Sequence, residues 1–325
     1  MHNVLVTGAT GFIGSHLVKT LLKENKSVRV LCHYNSRSDV GNLKYFVPDV
    51  NNNLEIMWGD LRDSDSVKKA IKGVDTVFHL GALIAIPYSY INPSEYIYTN
   101  IVGTTNVLNA CMEYNVERLV HTSTSEVYGT AICKPIDENH PNQAQSPYAA
   151  SKLSADKVAL SYFMSFNLPV TVIRPFNCFG PGQSARAIIP TIITQAIRSN
   201  KILLGNIDVT RDWTYVEDTV NGFIRISKAD SVLGEIINVG TGREVSIKDV
   251  IKIIGKLLDK ELIVVCDKKR IRPSKSEVLC LVANNKKALG LLNWKPMVTF
   301  ENGLKDTIDW IQLNINKFDQ RGYII

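Results

Sequence analysis

Val4-Leu5-Val6-Thr7-Gly8-Ala9-Thr10-Gly11-Phe12-Ile13-Gly14 decides how the rest of the chain is read. A short apolar run, Val4 to Thr7, leads into three glycines spaced GxxGxxG, and a helical pattern follows. Glycine permits the tight turn, lets the backbone approach a pyrophosphate and lets the helix pack closely on the strand. The free N–H groups at the start of such a helix face the phosphates. The stretch therefore predicts a dinucleotide seat built from Gly8, Gly11, Phe12, Ile13 and Gly14. An ordinary glycine turn is the competing reading, and the strand-to-helix context argues against it.

Working outward, short apolar runs recur at Val4–Thr7, Val28–Cys32, Leu54–Trp58, Thr76–Leu80, Arg118–Thr122 and Val170–Arg174. They read as strands buried on both faces. Helical patterns fall between them near 12–24, 64–72, 94–114 and 147–166, with Asp63 or Ser64 as a cap for the second. This alternation predicts an α/β fold, a doubly wound parallel (Rossmann) sheet with a smaller mixed α/β C-terminal substrate lobe. After Pro175 the rhythm breaks. Asn177 to Gly182 reads as a loop, followed by a helix near 186–199 and a strand at Ile202–Leu204. Glu235–Val239 again resembles a sheet strand. The expected division is 1–175 plus about 206–242 for the dinucleotide, and 176–205 with 243–325 for the second ligand.

An acid at the end of the second strand would hold the adenosine ribose of NAD. That strand ends Leu31-Cys32-His33-Tyr34, with no acid, and Arg37 follows. Arg37 faces a 2′-phosphate in one reading and is a surface residue in the other, so NAD and NADP both stay open. Asp60, after the third strand, is a candidate for the adenine amino group or for a helix cap.

Tyr148-Ala149-Ala150-Ser151-Lys152 places a phenol and an ammonium at i and i+4 on one helix face. An ammonium beside a phenol favours phenolate, which gives a base for a hydroxyl proton while hydride leaves the same carbon. Thr124, just beyond the fifth strand, lies where ligands bind in such sheets and is the choice for a hydrogen bond to the reacting oxygen. Glu126 suggests a second proton transfer beyond plain alcohol oxidation, against the plainer reading of a surface or capping acid.

The 37 Lys and Arg against 31 Asp and Glu give a net charge of +6, which suits anionic small ligands. No basic block is long enough for a nucleic-acid surface; Lys268-Lys269-Arg270 reads as a solvated loop. No run of 18 apolar residues marks a membrane span. The strand starting almost at Met1 leaves no room for a signal peptide, so a cytoplasmic location is expected. Cysteines 32, 111, 133, 178, 266 and 280 are scattered, without CxxC or a metal-spaced His, and mostly read as buried thiols.

The chain resembles the extended short-chain dehydrogenase/reductase family of nucleotide-sugar enzymes. The residues that carry the resemblance are the Gly8–Gly14 turn, Asp60-Leu61, His79-Leu80-Gly81-Ala82, Asn100 with Gly103-Thr104, Thr124, Tyr148 with Lys152, Arg174-Pro175-Phe176-Asn177 with Gly180-Pro181, Arg211-Asp212 and Arg272-Pro273. The resemblance implies that Leu61, Leu80, Gly81 and Ala82 join the cofactor site. It also implies that Ile86, Asn177 and Arg186 contact substrate and that Arg211 and Arg272 hold a diphosphate, whose oxygens a guanidinium matches. Thr124-Ser125-Glu126 is similar to the string of 4,6-dehydratases, with Glu126 removing the C5 proton and Glu126 or a water at Ser125 serving the leaving C6 hydroxyl. The strings around Ile86 (82–90), 121–129, Gln145–Tyr148, Gln183–Arg186 and 272–278 resemble 4,6-dehydratases of the legionaminic-acid type, acting on a nucleotide-linked N-acetylglucosamine. The implied product is a 4-keto-6-deoxy sugar, with NAD or NADP tightly bound and regenerated each turnover. The resemblance further implies a homodimer joined through the helices near 94–114 and 147–166. The rival readings are a UDP-glucuronate decarboxylase, a nucleotide-sugar 4-epimerase and a catalytically silent nucleotide-sensing protein.

Overall fold

The computed structural model describes residues 3–47 and 53–318. In chain order the first half runs β1 (Asn3–Thr7), α1 (Phe12–Lys23), β2 (Ser27–His33), α2 (Leu43–Phe46), β3 (Leu54–Gly59), α3 (Ser64–Ile71), β4 (Thr76–His79), α4 (Ile86–Ile91), α5 (Pro93–Tyr96), a π-turn (Ile97–Val102), α6 (Gly103–Glu113) and β5 (Arg118–Thr122). A 3-10 turn (Ser125–Tyr128) leads to α7 (Pro147–Phe166), β6 (Val170–Pro175), β7 (Asn177–Phe179), α8 (Ile188–Arg198), β8 (Lys201–Leu204), β9 (Thr210–Tyr215) and α9 (Val216–Ser227). The chain ends through β10 (Ile236–Val239), β11 (Glu244–Ser246), α10 (Ile247–Leu257), β12 (Ile263–Cys266), α11 (Lys286–Leu292) and α12 (Phe300–Leu313).

Seven strands form a parallel sheet in the order β10-β6-β5-β4-β1-β2-β3. The order reverses between β1 and β4, which opens a ligand crevice beyond their carboxyl ends. Val4, Leu5 and Val6 are buried because helices cover both faces of the sheet. The predicted doubly wound sheet is present, and Ile236–Val239 joins it beside β6. A smaller sheet, β11-β9-β7, and the parallel pair β12-β8 build the rest. β9 lies inside the 206–242 stretch assigned to the dinucleotide, yet it pairs with β7 and β11. It is α9 and β10 that return to the main sheet.

Two local expectations change. Asn177–Phe179, read as loop because of the glycines and proline beyond it, is strand β7, paired with β9 from Asn177↔Trp213 to Phe179↔Tyr215. The helical stretch near 94–114 is interrupted by the π-turn at Ile97–Val102, a distortion that concentrates at functional sites. Asp63 caps α3, accepting from the N–H groups of Asp65 and Ser66. Ser146 caps α7 by accepting from the N–H of Ala149 at 3.1 Å, with Pro147 at the first helical position. Cys32, Cys111 and Cys280 are buried, Cys178 is half-buried, and Cys133 and Cys266 are exposed. Among the described residues no helix is long and apolar enough to cross a membrane, and no cluster of side chains suits a metal ion.

Candidate active site

The glycine turn is closed by backbone contacts that no larger residue allows. Gly8 has φ +71°, and a Cβ there would sit 2.7 Å from the Gly81 nitrogen, so the ends of β1 and β4 meet backbone to backbone. A Cβ on Gly14 would strike the Gly8 carbonyl and lie 2.8 Å from the Ala9 Cα. The Gly11 N–H donates to the Gly8 carbonyl at 3.1 Å, and no side chain caps α1. Phe12 and Ile13 form the first turn of α1, half-buried. Leu61 packs against Gly81 and Gly103, and Leu80 and Ala82 flank Gly81 after β4. A tight turn, an uncapped helix start and a crevice at the reversal point together fit a dinucleotide pyrophosphate.

Beside the turn, Thr10, His33, Asn35, Ser36, Arg37, Asp39 and Gly41 line a cleft of about 450 Å³. Arg37 is exposed on this cleft. The Asp60 carboxylate accepts from Arg62 at 2.6–3.1 Å, and His33 approaches it at 3.5 Å. The Arg62 hydrogen bonds hold that carboxyl below its usual range. Asp60 is not a helix cap, since Asp63 fills that position.

At the end of β5, the Thr124 hydroxyl oxygen accepts from the Glu126 N–H at 3.2 Å and starts the 3-10 turn. Ser125 is buried and Glu126 half-exposed. α7 brings the Tyr148 phenol beside the Thr124 hydroxyl and within reach of the Glu126 charge. Burial pushes the phenol above its ordinary value; the Thr124 hydroxyl opposes this and the Glu126 charge reinforces it. The expected lowering of the phenol by Lys152 is therefore not what the chain's own groups produce. The same burial pushes the Lys152 ammonium down to about 8, opposed by the Asp156 charge. Both shifts have one cause, because desolvation favours the neutral form of each group.

Asn100, in the π-turn, fixes this helix relative to the segment after β4. Its side-chain oxygen accepts from the Leu83 N–H, and its amide donates to the Leu83 carbonyl and to Ser151 Oγ at 2.8–2.9 Å. Ser151 in turn donates to the Tyr148 carbonyl at 2.8 Å. His79 lies buried below. The Thr104 hydroxyl donates to the Asn100 carbonyl, so it accepts from His79 Nε2–H at 3.0 Å, and Nδ1 accepts from Thr7 at 2.8 Å. Burial, then the neighbouring His121 and Lys152, hold His79 neutral.

The candidate substrate residues come together only in part. Arg211 is buried, and Arg211 and Arg272 both approach Glu277, at 3.9 and 3.6 Å. Burial pushes the Arg211 guanidinium below its ordinary value, while the Glu126 and Glu277 charges oppose this and Arg272 adds to it. Arg211 thus lies within reach of the charges of both Glu277 and Glu126. Ile86 packs with Tyr96 and Tyr148, and the exposed Arg186 faces Tyr96. Asn177 lies on β7, with a buried side-chain oxygen that has no protein partner. Sequence reasoning assigned no role to Asp156, Ser123, His121 or Glu277. Asp156 had a signal, since it lies one helical turn beyond Lys152 on the same face.

The chain matches the family model described as GDP-mannose 4,6 dehydratase over residues 5–307. It is 30% identical over 325 residues to the dTDP-D-glucose 4,6-dehydratase of Mus musculus, covering 97% of this chain and 90% of that protein. It is similar to the solved dTDP-glucose 4,6-dehydratase of Streptomyces venezuelae with NAD bound, at TM-score 0.88, 30% identity and 98% and 99% coverage. It is also similar to the UDP-glucuronic acid 4-epimerase of Bacillus cereus in complex with UDP-glucuronic acid and NAD, at TM-score 0.88, 28% identity and 96% and 99% coverage.

Proposed function

This chain belongs to the GDP-mannose 4,6-dehydratase family of extended short-chain dehydrogenase/reductase enzymes, and from that premise we propose that it dehydrates a nucleotide-linked hexose to the 4-keto-6-deoxy sugar. The substrate we favour is UDP- or GDP-N-acetylglucosamine. The observation that carries the reading is Glu126, next but one to Thr124 at the end of β5, close enough to Tyr148 for its charge to raise the phenol. An alcohol oxidation needs only Tyr148 and Thr124; water loss across C5 and C6 needs a further acid/base, and Glu126 supplies it.

In this reading the Gly8–Gly14 turn would hold NAD, which would supply hydride acceptance at C4 and hydride return at C6, a proton being restored at C5. Tyr148 takes the C4 hydroxyl proton, Thr124 orients that oxygen, and Lys152 stabilises the phenolate. Glu126 removes the C5 proton once C4 is a ketone. Its half-exposed position above the buried Ser125 supports it as the donor to the departing C6 hydroxyl as well. Arg211 and Arg272 bind the diphosphate, and Ile86, Asn177 and Arg186 line the sugar and base side. We also propose a homodimer through the helices near 94–114 and 147–166, supported by the exposed Tyr98, Val102, Met164 and Phe166. NAD is favoured because both solved relatives hold it; NADP is tested against it at the Arg37 cleft.

A 4-epimerase is the second reading, favoured by the likeness to the UDP-glucuronic acid 4-epimerase. Mass spectrometry of reactions with UDP- and GDP-N-acetylglucosamine, without added cofactor, separates the two. Loss of one water supports the dehydratase. An unchanged mass with inverted C4 stereochemistry by nuclear magnetic resonance establishes the epimerase instead.

A further inference from the structure

α7 carries three chemically active side chains at successive turns on one buried face, Tyr148, Lys152 and Asp156. The first two have roles in the proposed reaction, whereas Asp156 is wholly buried with no assigned task. A lone carboxylate there would be expelled or protonated. Instead, Ser123 Oγ donates to it at 2.6 Å, and Arg174 donates through Nε at 3.2 Å and Nη2 at 3.0 Å. His121 Nε2 lies 3.3 Å from its other oxygen. Arg174 is itself buried and stacks over the Tyr128 ring at 4.7 Å. Tyr128 donates to Asn238 at 2.8 Å, so β5, β6, β10 and α7 all hold this one charge in place.

We propose that Asp156 is a positioning residue for the reaction, an anchored negative charge one turn beyond Lys152 on the same buried helix face that holds its ammonium in place. The proposal rests on the reading of Tyr148 and Lys152 as the acid/base pair. The titratable groups that exchange charge with Lys152 are Asp156, one turn on along α7, His79 on β4 and His121 on β5, while Tyr148 lies one turn back on the same buried face. Arg174 on β6 lies behind Asp156, and Tyr96 and Glu126 face Tyr148. Both histidines are held towards their neutral forms, chiefly by burial. Burial also works to raise the Asp156 carboxyl, yet His121, Arg174 and Ser123 hold it below its ordinary value. Asp156 is therefore the negative charge that resists the loss of the Lys152 proton.

The test reads Lys152 directly. Full-length protein labelled with ¹³Cε-lysine is titrated by nuclear magnetic resonance, the Lys152 signal being identified by its loss in Lys152→Met. The expected midpoint is about 8 in the unaltered protein, and Asp156→Asn moves it down by about one unit or more. Because Asp156→Asn leaves Arg174 buried without its partner, the double variant Asp156→Asn/Arg174→Met is measured in parallel. A folded single or double variant with the midpoint unmoved overturns the proposal. In parallel, the alkaline limb of water loss from UDP-N-acetylglucosamine moves down with the midpoint, and an equal loss of rate at every pH overturns it. Full water loss in Lys152→Met overturns the acid/base reading and the positioning role with it; an inactive Lys152→Met with an unmoved Asp156→Asn midpoint removes the positioning role alone.

Discussion

The floor and the rim of the cleft are built from similar charges held in different ways. On the floor, Asp156 and Arg174 are fully buried and meet at 3.0–3.2 Å, with Ser123 at 2.6 Å. On the rim, Arg211 and Arg272 share Glu277 at 3.9 and 3.6 Å, and the Arg272 side chain keeps 28% of its exposure. A short, dry ion pair fixes geometry before any ligand arrives. Two cations on one distant carboxylate leave donors for a doubly charged diphosphate, whose oxygens match two guanidinium forks better than Glu277 does. In the proposed reaction the floor serves chemistry and the rim serves binding, and the two are expected to respond differently to substitution.

The sharpest break in that comparison is Glu126→Gln, because Glu126 lies between floor and rim. Removing a general acid/base costs about 10²–10⁴ in rate. Water loss is expected to fall by that factor, with bound NAD and the thermal midpoint unchanged. A fully active Gln variant, measured by mass shift of the sugar nucleotide, removes the dehydratase assignment. Arg174→Met comes next. It leaves Asp156 buried without its guanidinium partner, held only by Ser123 and the neighbouring His121, and breaking a buried pair costs about 3–5 kcal/mol. Urea unfolding that shows less than about 1 kcal/mol of loss would mean the floor is not the rigid half of the site.

The difference between the halves also explains what the sequence reveals. The sheet was legible because six of its strands are short Val-, Ile- and Leu-rich runs, each set between helical patterns. The glycine turn was legible because Gly14 is required by backbone contacts with Gly8 and Ala9 a few residues away, whereas the contact that requires Gly8, with Gly81 at the end of β4, is not visible in the local sequence. Tyr148 and Lys152 were legible because i and i+4 is a local relation. By contrast, Asp156 was passed over although its spacing is equally local, since its partners Ser123, His121 and Arg174 come from two other strands. β7 was hidden because its pairing with β9 spans more than 30 residues and nothing in Asn177-Cys178-Phe179 announces it. The phenol's direction was misjudged for a third reason. Proximity of Lys152 is visible in a sequence, whereas the desolvation that outweighs it is not.

On the rim, Arg272→Ala removes a charge-assisted contact worth about 1.5–3 kcal/mol. The expected result is a KM for UDP-N-acetylglucosamine raised about 10- to 100-fold with little change in kcat, since the diphosphate is remote from the reacting carbons. Glu277→Gln works in the opposite direction, because it frees both guanidinium groups from a competing carboxylate. A fall in KM is expected, and a rise would show that Glu277 orients the arginines instead of competing for them. If either substitution lowers kcat as strongly as Glu126→Gln, the division between binding rim and chemical floor fails.

The smallest effect lies where the two regions join. His16, on α1, donates through Nε2–H to the Pro181 carbonyl at 2.8 Å, and its ring lies 4.1 Å from that of Phe46. Pro181 follows β7, so this bond ties the glycine-turn helix to the start of the substrate side. Burial pushes His16 down to about 4, with the Pro181 bond opposing and Lys19 adding to the shift. Its folded value is below the unfolded one, so between about 6.5 and 4 the unfolded chain binds the extra proton and stability falls as pH falls. At about pH 5.5 the loss from this residue is about 1 kcal/mol relative to neutral pH, since each unit is worth about 1.4 kcal/mol. His16→Gln keeps a donor for Pro181 but cannot take the proton. Its urea-unfolding free energy is therefore expected to fall less steeply than that of the unaltered protein across this window. Parallel pH curves for the two would show that the junction opens to solvent before His16 charges, which would make it a movable joint and not a fixed one.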